Sequence, residues 1–368
     1  NVQIDGKHLE REGNVIIDQV PDAAGRARLE AWATAASQGG ACWVQLSHAG
    51  RQTQRQINAS PKAPSAKQVR LPGGRFGRPE PLTANEIEEL IARFATAAEV
   101  CRDVGFGGVQ IHAAHGYLLS QFLSPLANER TDDWGGSLEN RARALLSVVR
   151  AVRARVGPDF PVGVKLNSAD FQRGGFAFED SLQVAKWLEA EGIDLLEISG
   201  GTYEQPRLLG LGGIEPVADQ VVRESTRARE AYFVDFALAM RAEVGLPLMV
   251  TGGLRRRDAM ESALEGGADM IGIGRPMCVM HDAPARLLDG LDELPRYENE
   301  VSLLPSWLSF LKGIELVKVV DGFSSQFWFY EQLVAIGRTG EPDRGLGVAT
   351  ASRRQLTAAA AWRRARAR

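Results

Sequence analysis

Cysteine is scarce in this sequence: Cys42, Cys101 and Cys278 are the only three in 368 residues, and no two form a C-x-x-C pair. That spacing argues against a disulfide framework and against a cysteine-held zinc or iron–sulfur centre. It suits a reducing, cytoplasmic setting. An excess of charge is missing as well. The 43 basic and 46 acidic residues leave a formal charge of −3, which gives no electrostatic footprint for nucleic acid or an anionic membrane. No apolar run approaches the roughly 20 residues that span a bilayer, and no signal peptide opens the chain. A small molecule is the partner these absences leave, with a homo-oligomer as a further expectation. The first residue is Asn1 rather than methionine, so the sequence is expected to be processed or incomplete at its start.

What is present is a repeating pattern. Short β-branched runs recur at 41–48, 107–114, 161–168, 194–201, 247–254 and 269–276, and amphipathic stretches such as 84–105, 137–157 and 178–192 lie between them. Ser137 stands where a helix N-cap belongs and Gly157 where a C-cap belongs. Hydrophobic strands alternating with helices predict an α/β fold with a parallel sheet covered on both faces. Polar residues close every unit: Gln45, His112, Lys165, Ser199, Thr251 and Arg275. Chemistry spread over many strand ends favours a (β/α)8 TIM barrel over an open sheet, which gathers its ligand groups at one switch point. On this reading 1–21 holds the exit of a second strand and 23–40 the helix after it, so the first strand–helix unit is expected to lie upstream of residue 1. The expected domains are an N-terminally incomplete barrel over 1–290 and a helical, aromatic-rich extension over 291–368. That extension is expected to pack on the barrel or at a subunit interface. The long irregular stretches 49–83 and 199–227 are expected to be binding loops.

The stretch "VQIHAAHGYLLSQFLSP" (109–125) carries His112, His115 and Tyr117. In an ideal strand positions 112 and 115 face opposite ways, so a turn, made easy by Gly116, is needed for both to converge. Two imidazole N–H donors aimed at one point stabilise a developing oxyanion, and a phenol beside them serves as a general acid. A metal site with Asp170 as third ligand, or satisfied core histidines, are the competing readings. "TGGL" (251–254) and "GIGRP" (272–276) place Gly252, Gly253, Gly274 and Arg275 on the last two units, where barrels frequently bind phosphate. Lys165 needs an anionic partner or a chemical task. Gln45 offers both a donor and an acceptor to the edge of a heterocycle.

Together these residues resemble the Old Yellow Enzyme family of FMN-dependent ene-reductases, in the branch with 2,4-dienoyl-CoA reductase-like and NADH:flavin oxidoreductase proteins. The most specific part is "GFGGVQIHAAHGYLLSQFLSPLANERTDDWGGSLENR" (105–141). The resemblance implies that His112 and His115 bind the substrate's activating oxygen and that Tyr117 protonates the carbon α to it. Gln45 would contact the flavin pyrimidine edge and Lys165 would lie near flavin N1. Gly252, Gly253, Gly274 and Arg275 would hold the FMN phosphate. The implied activity is reduction by NAD(P)H of activated C=C bonds in α,β-unsaturated carbonyl or nitro compounds, with NADH and NADPH not distinguished. The iron–sulfur cysteine cluster of the longer dienoyl-CoA reductases is absent, since Cys278 stands alone, so a single-barrel FMN-only enzyme is expected. Two alternatives are a Schiff-base lyase using Lys165 and a non-catalytic flavin- or phosphate-binding barrel.

Overall fold

The computed structural model describes residues 1–69, 71, 74–200 and 235–366. They divide into two compact units. One is built from the chain through the strand at 195–199 together with 239–249, the other from 235–238 and from residue 250 onward.

The first unit is centred on a parallel sheet. In chain order its strands are β1 (Val2–Gln3), β2 (Val15–Ile16) and β3 (Trp43–Ser47), then, after a small separate pair β4 (Lys62–Ala63) and β5 (Glu80–Pro81), β6 (Gly108–Ala113), β7 (Val162–Asn167) and β8 (Leu195–Ser199). The order across the sheet is β2-β1-β3-β6-β7-β8. All five recorded pairings in it are parallel. Connections between parallel neighbours require crossovers. The helices that follow the strands are α1 (Ala23–Ala36), α2 (Ala84–Asp103), α3 (Leu118–Leu123), α4 (Leu138–Val156) and α5 (Phe178–Ala190).

Helix boundaries follow local chemistry. Thr83 and Glu86 form a reciprocal capping box at the start of α2, which satisfies two otherwise orphaned N–H groups. Ser137 accepts the Asn140 N–H at the start of α4, and Gly157 ends it with φ 82°. The apolar stripe Ile87, Leu90, Ile91 and Phe94 of α2 is buried, as is Leu145, Val148, Val149 and Val152 of α4. Full burial of each large aliphatic side chain stabilises the fold by about 1.5–3 kcal/mol.

Register decides what faces what. Gln45 pairs with Gln110, His112 with Lys165, and Lys165 with Glu197. Because side chains alternate along a strand, those five polar residues share one face of the sheet. The other face carries Val44, Leu46, Val109, Ile111, Val164, Leu166, Leu196 and Ile198, all buried. The expectation that polar residues follow or close their strands is adjusted in one respect: on this face polarity begins mid-strand, at Gln45, Gln110, Lys165 and Glu197, and continues to the exits, while Trp43, Gly108, Gly163 and Leu195 occupy the strand starts.

The second unit contains the exit of β9 (Leu248–Thr251), β10 (Met270–Gly272), α6 (Arg257–Glu265), α7 (Ala283–Leu288), α8 (Glu315–Thr339) and α9 (Val348–Arg366). Its aromatic residues have a local task. Trp328 and Phe329 pack with Tyr297, Val279 and Ala351, and the Trp328 indole donates to the Leu346 carbonyl at 2.7 Å. Gly340 closes α8 in the left-handed conformation, as a C′ glycine does.

Candidate active site

The chain leaves β6 through a tight reversal. His115 has φ 59° and Gly116 φ 74°, and the left-handed region is uncommon for a residue with a side chain. Four side chains hold this pair. The His115 N–H donates to Asn167 Oδ1 at 3.0 Å, and the Gln52 amide donates to the His115 carbonyl at 3.0 Å. The Gly116 N–H donates to Ser120 Oγ at 3.2 Å, and Gln121 donates to the Gly116 carbonyl at 2.7 Å. Every backbone polar group of the two residues is thereby bonded, which is what a buried turn requires. The turn brings the three expected side chains together. The rings of His112 and His115 meet edge to face with centroids 5.2 Å apart, and Tyr117 packs against His112 at 4.8 Å.

Both imidazoles are held neutral. Burial, then the neighbouring His115 and Lys165 charges, pushes His112 well below the ordinary histidine range. Burial, then Lys165, pushes His115 down to about 3. His112 Nδ1 accepts the Ala114 N–H at 3.2 Å, so its proton sits on Nε2, where it is available to donate. His115 Nε2 lies 2.7 Å from Ser199 Oγ. If the hydroxyl donates in that bond, His115 carries its proton on Nδ1.

Next to the histidines on the same sheet face runs a connected set. Gln45 Nε2 donates to Gln110 Oε1 at 2.7 Å, Gln110 Nε2 donates to Glu197 Oε2 at 2.7 Å, and Lys165 Nζ donates to Glu197 Oε1 at 2.6 Å. Lys165 thus has its anionic partner. Imine chemistry would require an amine released from that pair, which weighs against the lyase alternative. The metal reading at His112 and His115 also loses its third ligand. Asp170 accepts from Phe176 N–H and from the Asn167 amide instead, and burial raises its affinity for a proton against the pull of those bonds.

The glycine segments lie in the second unit. Thr251 stands directly against Gly272, where an added Cβ would fall 1.8 Å from its hydroxyl oxygen, so the ends of the two strands abut. At Gly253 (φ 79°) and Gly274 an added Cβ would meet nothing within 4 Å, leaving open space over bare backbone. A glycine segment at a strand exit is expected to lead directly into a helix, and only one of the two does. No helix begins at Gly252–Gly253, because α6 starts only at Arg257. The intervening residues are held out by the Leu294 N–H bond to Arg255 O and the Arg257 N–H bond to Asp292 O. Only Gly274 leads straight into a helical turn, the four-residue 3-10 segment Arg275–Cys278. Arg275 is also not a free fork: Glu298 takes it at 3.3 Å and takes Arg255 at 3.1 Å.

Several participants were not identified from the sequence. Gln52 and Ser120 are single polar residues with no motif of their own, and Glu197 reads as an ordinary strand residue in "LLEISGG". Gln52 does fall within the irregular stretch 49–83, which the sequence marks as a binding loop. The other such stretch, 199–227, lies outside the described residues from 201 on. Among the described residues one group has the spacing of metal ligands: Asp5, His8 and His48. Some of its lone pairs are already taken. His8 Nε2 accepts the Lys62 N–H and His48 Nδ1 accepts the Gly50 N–H, so each ring has one nitrogen lone pair already engaged. Arg93 Nη1 bonds the same carboxylate at 2.5 Å. No helix among the described residues is long and apolar enough to cross a membrane.

Comparison with known proteins gives a consistent result. The model of the NADH:flavin oxidoreductase / NADH oxidase family matches residues 27–293. The NADH-dependent flavin oxidoreductase iliE of Neonectria sp. (strain DH2) is 37% identical, over 76% of this chain and 38% of the relative. The NADH-dependent flavin oxidoreductase iccE of Talaromyces variabilis is 35% identical, over 92% of this chain and 85% of the relative. This chain therefore spans well under half the length of the first of these relatives and most of the second. Among solved structures, the old yellow enzyme homologue from Zymomonas mobilis superposes with a TM-score of 0.63 at 25% identity, covering 81% of this chain and 80% of that one. The fold class is accordingly the α/β, (β/α)8 type anticipated from the strand–helix pattern.

Proposed function

We propose, since this chain belongs to the NADH:flavin oxidoreductase / NADH oxidase family, the family of the old yellow enzyme, that it is an FMN-dependent ene-reductase. Its substrates are α,β-unsaturated carbonyl or nitro compounds. The observation that carries the reading is the clamped turn at His115–Gly116, which sets two neutral imidazoles and a phenol at one strand exit.

The residues present fit FMN in two places, each considered by itself. In the first unit, Gln45 uses one N–H on Gln110 and keeps a second N–H and a carbonyl oxygen for the edge of a heterocycle, with Lys165 on the same sheet face. In the second unit, Gly253 and Gly274 leave open space where a side chain would stand. There Gly252, Gly253 and Gly274 would hold the phosphate with backbone N–H groups, and Arg275 would exchange part of its bond to Glu298 for it. Bound FMN would supply the two-electron carrier that takes hydride from NAD(P)H and passes it to the alkene.

The chain's own residues do the rest. His112 donates from Nε2 to the substrate oxygen, and His115 donates beside it, so that charge developing on that oxygen meets fixed dipoles rather than water. Neutral rings suit this, because donation without proton loss stabilises an enolate-like charge without quenching it. Tyr117 gives its proton to the carbon α to the activating group.

The test is a comparison of half-reactions in Tyr117→Phe. Wild-type protein is expected to take up FMN and show its yellow absorbance. In the variant, stopped-flow reduction of the flavin by NAD(P)H should stay near the wild-type rate while alkene reduction slows by about 10²–10⁴. Equal loss in both half-reactions would remove Tyr117 from the proton-donor role, and a wild-type protein that takes up no FMN would defeat the whole reading.

A further inference from the structure

We infer that Glu197 is a positioning residue with two effects: it fixes the charge balance at Lys165, and so how strongly this site favours reduced over oxidised flavin, and it fixes the amide polarity of Gln45, and so how tightly flavin is held. The inference rests on the proposed FMN reading and goes beyond it, because no part of that reading assigns Glu197 or Gln110.

An ionised carboxylate only accepts hydrogen bonds. Glu197 is 4% exposed and accepts Lys165 Nζ on one oxygen and Gln110 Nε2 on the other. Gln110 must therefore turn its amide nitrogen to Glu197 and its carbonyl to Gln45. Gln45 in turn must present nitrogen to that carbonyl. One negative charge on β8 thus dictates the orientation of an amide on β6 and of another on β3. The strand register, Gln45 opposite Gln110 and Lys165 opposite Glu197, keeps the chain of bonds short at each step. What remains on Gln45 for a ligand is one N–H and one carbonyl oxygen.

The same charge governs Lys165. A buried ammonium without a counter-ion is strongly destabilising, and a paired one is tolerated. Pairing has a chemical consequence. With Glu197 at 2.6 Å, a flavin on this face feels a balanced ion pair rather than a bare cation. The pull on the extra negative charge of reduced flavin is correspondingly weaker.

Glu197→Gln changes both properties with little change in shape. The new side chain's single carbonyl stays with Lys165, whose three donors need an acceptor. Its NH2 then faces Gln110, which inverts, and Gln45 inverts after it, so that Gln45 offers only N–H donors to the ligand. Lys165 is left without a compensating negative charge. Reduced FMN should gain at least tenfold in binding relative to oxidised FMN, a midpoint shift of about +30 mV or more for a two-electron couple. Two further variants separate the effects. Glu197→Asp keeps the charge and should keep the wild-type potential. Gln110→Leu leaves the Lys165–Glu197 pair intact and should also keep the potential, but it should bind oxidised FMN about tenfold more weakly.

The measurements are the potential of bound FMN, by equilibration with a reference dye, and the dissociation constant of oxidised FMN by fluorescence titration. A positive shift in Glu197→Gln that is absent from Glu197→Asp supports the inference. A Glu197→Gln potential within threefold of wild type in relative binding, or one shifted negative, overturns it. So does a Gln110→Leu protein that binds oxidised FMN as wild type does, and that variant decides the matter alone if Glu197→Gln fails to fold. Wild-type protein that takes up no FMN overturns the proposed function itself, an outcome distinct from wild type that binds FMN with variants that behave identically.

Discussion

Asn167→Ala tests whether the turn at His115 is imposed from outside. Asn167 Oδ1 is the acceptor for the His115 N–H, and its amide donates to Asp170 Oδ1 at 3.3 Å. A left-handed conformation costs a residue with a Cβ about 1–2 kcal/mol, and that cost is offset here by hydrogen bonds available only in this geometry. Truncation leaves the His115 N–H without that acceptor. A buried polar group so stranded costs about 1–3 kcal/mol, and Asp170 loses one of its donors. A total destabilisation of about 2–4 kcal/mol is expected. At roughly 2–4 °C per kcal/mol for a domain of 150–250 residues, Tm should fall by about 5–15 °C in a thermal scan followed by circular dichroism. Relief of the strain returns His115 toward an ordinary φ and carries its imidazole away from His112. Affinity for a phenolic or carbonyl ligand, measured by calorimetry on the folded variant, should then fall at least tenfold. Stability within about 0.5 kcal/mol of wild type, the range of an ordinary surface substitution, together with unchanged ligand affinity, would refute the view that Asn167 holds the turn.

Two other outcomes follow from the neutral histidines. His48, His112 and His115 are all depressed, each chiefly by burial. The unfolded chain therefore binds more protons than the folded one between the ordinary histidine value of about 6.5 and the folded values, which for His115 is about 3. Their contribution is fully present above about pH 6.5 and is lost as pH falls, at about 1.4 kcal/mol per pH unit for each histidine. Urea titrations at several values from pH 7 to pH 4 should give a slope shallower by that amount in His115→Gln than in wild type, and equal slopes would contradict it. Ser199→Ala bears on the tautomer instead. If the hydroxyl donates to His115 Nε2, imidazole 15N shifts should show the proton on Nδ1 in wild type and moving toward Nε2 in the variant. Wild type already protonated on Nε2 would mean that His115 cannot donate from Nδ1 to a substrate oxygen.

Much of this was legible in the sequence where period and punctuation act locally. The strands at 43–47, 108–113 and 162–167 fall inside the β-branched runs, and α4 begins and ends at the caps Ser137 and Gly157. Convergence of His112, His115 and Tyr117 was legible too, because Gly116 announces the reversal. What could not be read was register. Lys165 and Glu197 are 32 residues apart, and Gln45 and Gln110 are 65 apart, and only pairing across the sheet makes neighbours of them. The absence of a helix directly after Gly252–Gly253 has a related reason. A glycine pair at a strand exit resembles a helix start, but the bonds from 292–294 that hold 255–257 extended come from distant sequence.

The division of the sheet into two faces sets what each substitution can cost. On the aliphatic face, a loss such as Ile111→Ala leaves a cavity and costs about 2–5 kcal/mol without touching the polar groups. On the polar face, Gln45, Gln110, Glu197 and Lys165 form a linear chain of hydrogen bonds in which each amide's orientation depends on its neighbour's. Removing one member strands its neighbours in a low-dielectric setting, so single losses there should couple rather than add. A sheet covered by aliphatic side chains on both faces would be simpler to stabilise. This polar face adds little net stability, but together with the turn after β6 it holds donors, an ammonium and two neutral imidazoles in fixed orientation before any ligand arrives. Such preorganisation is what electrostatic stabilisation of a developing charge requires. The sheet face therefore carries the functional argument more firmly than any single residue on it.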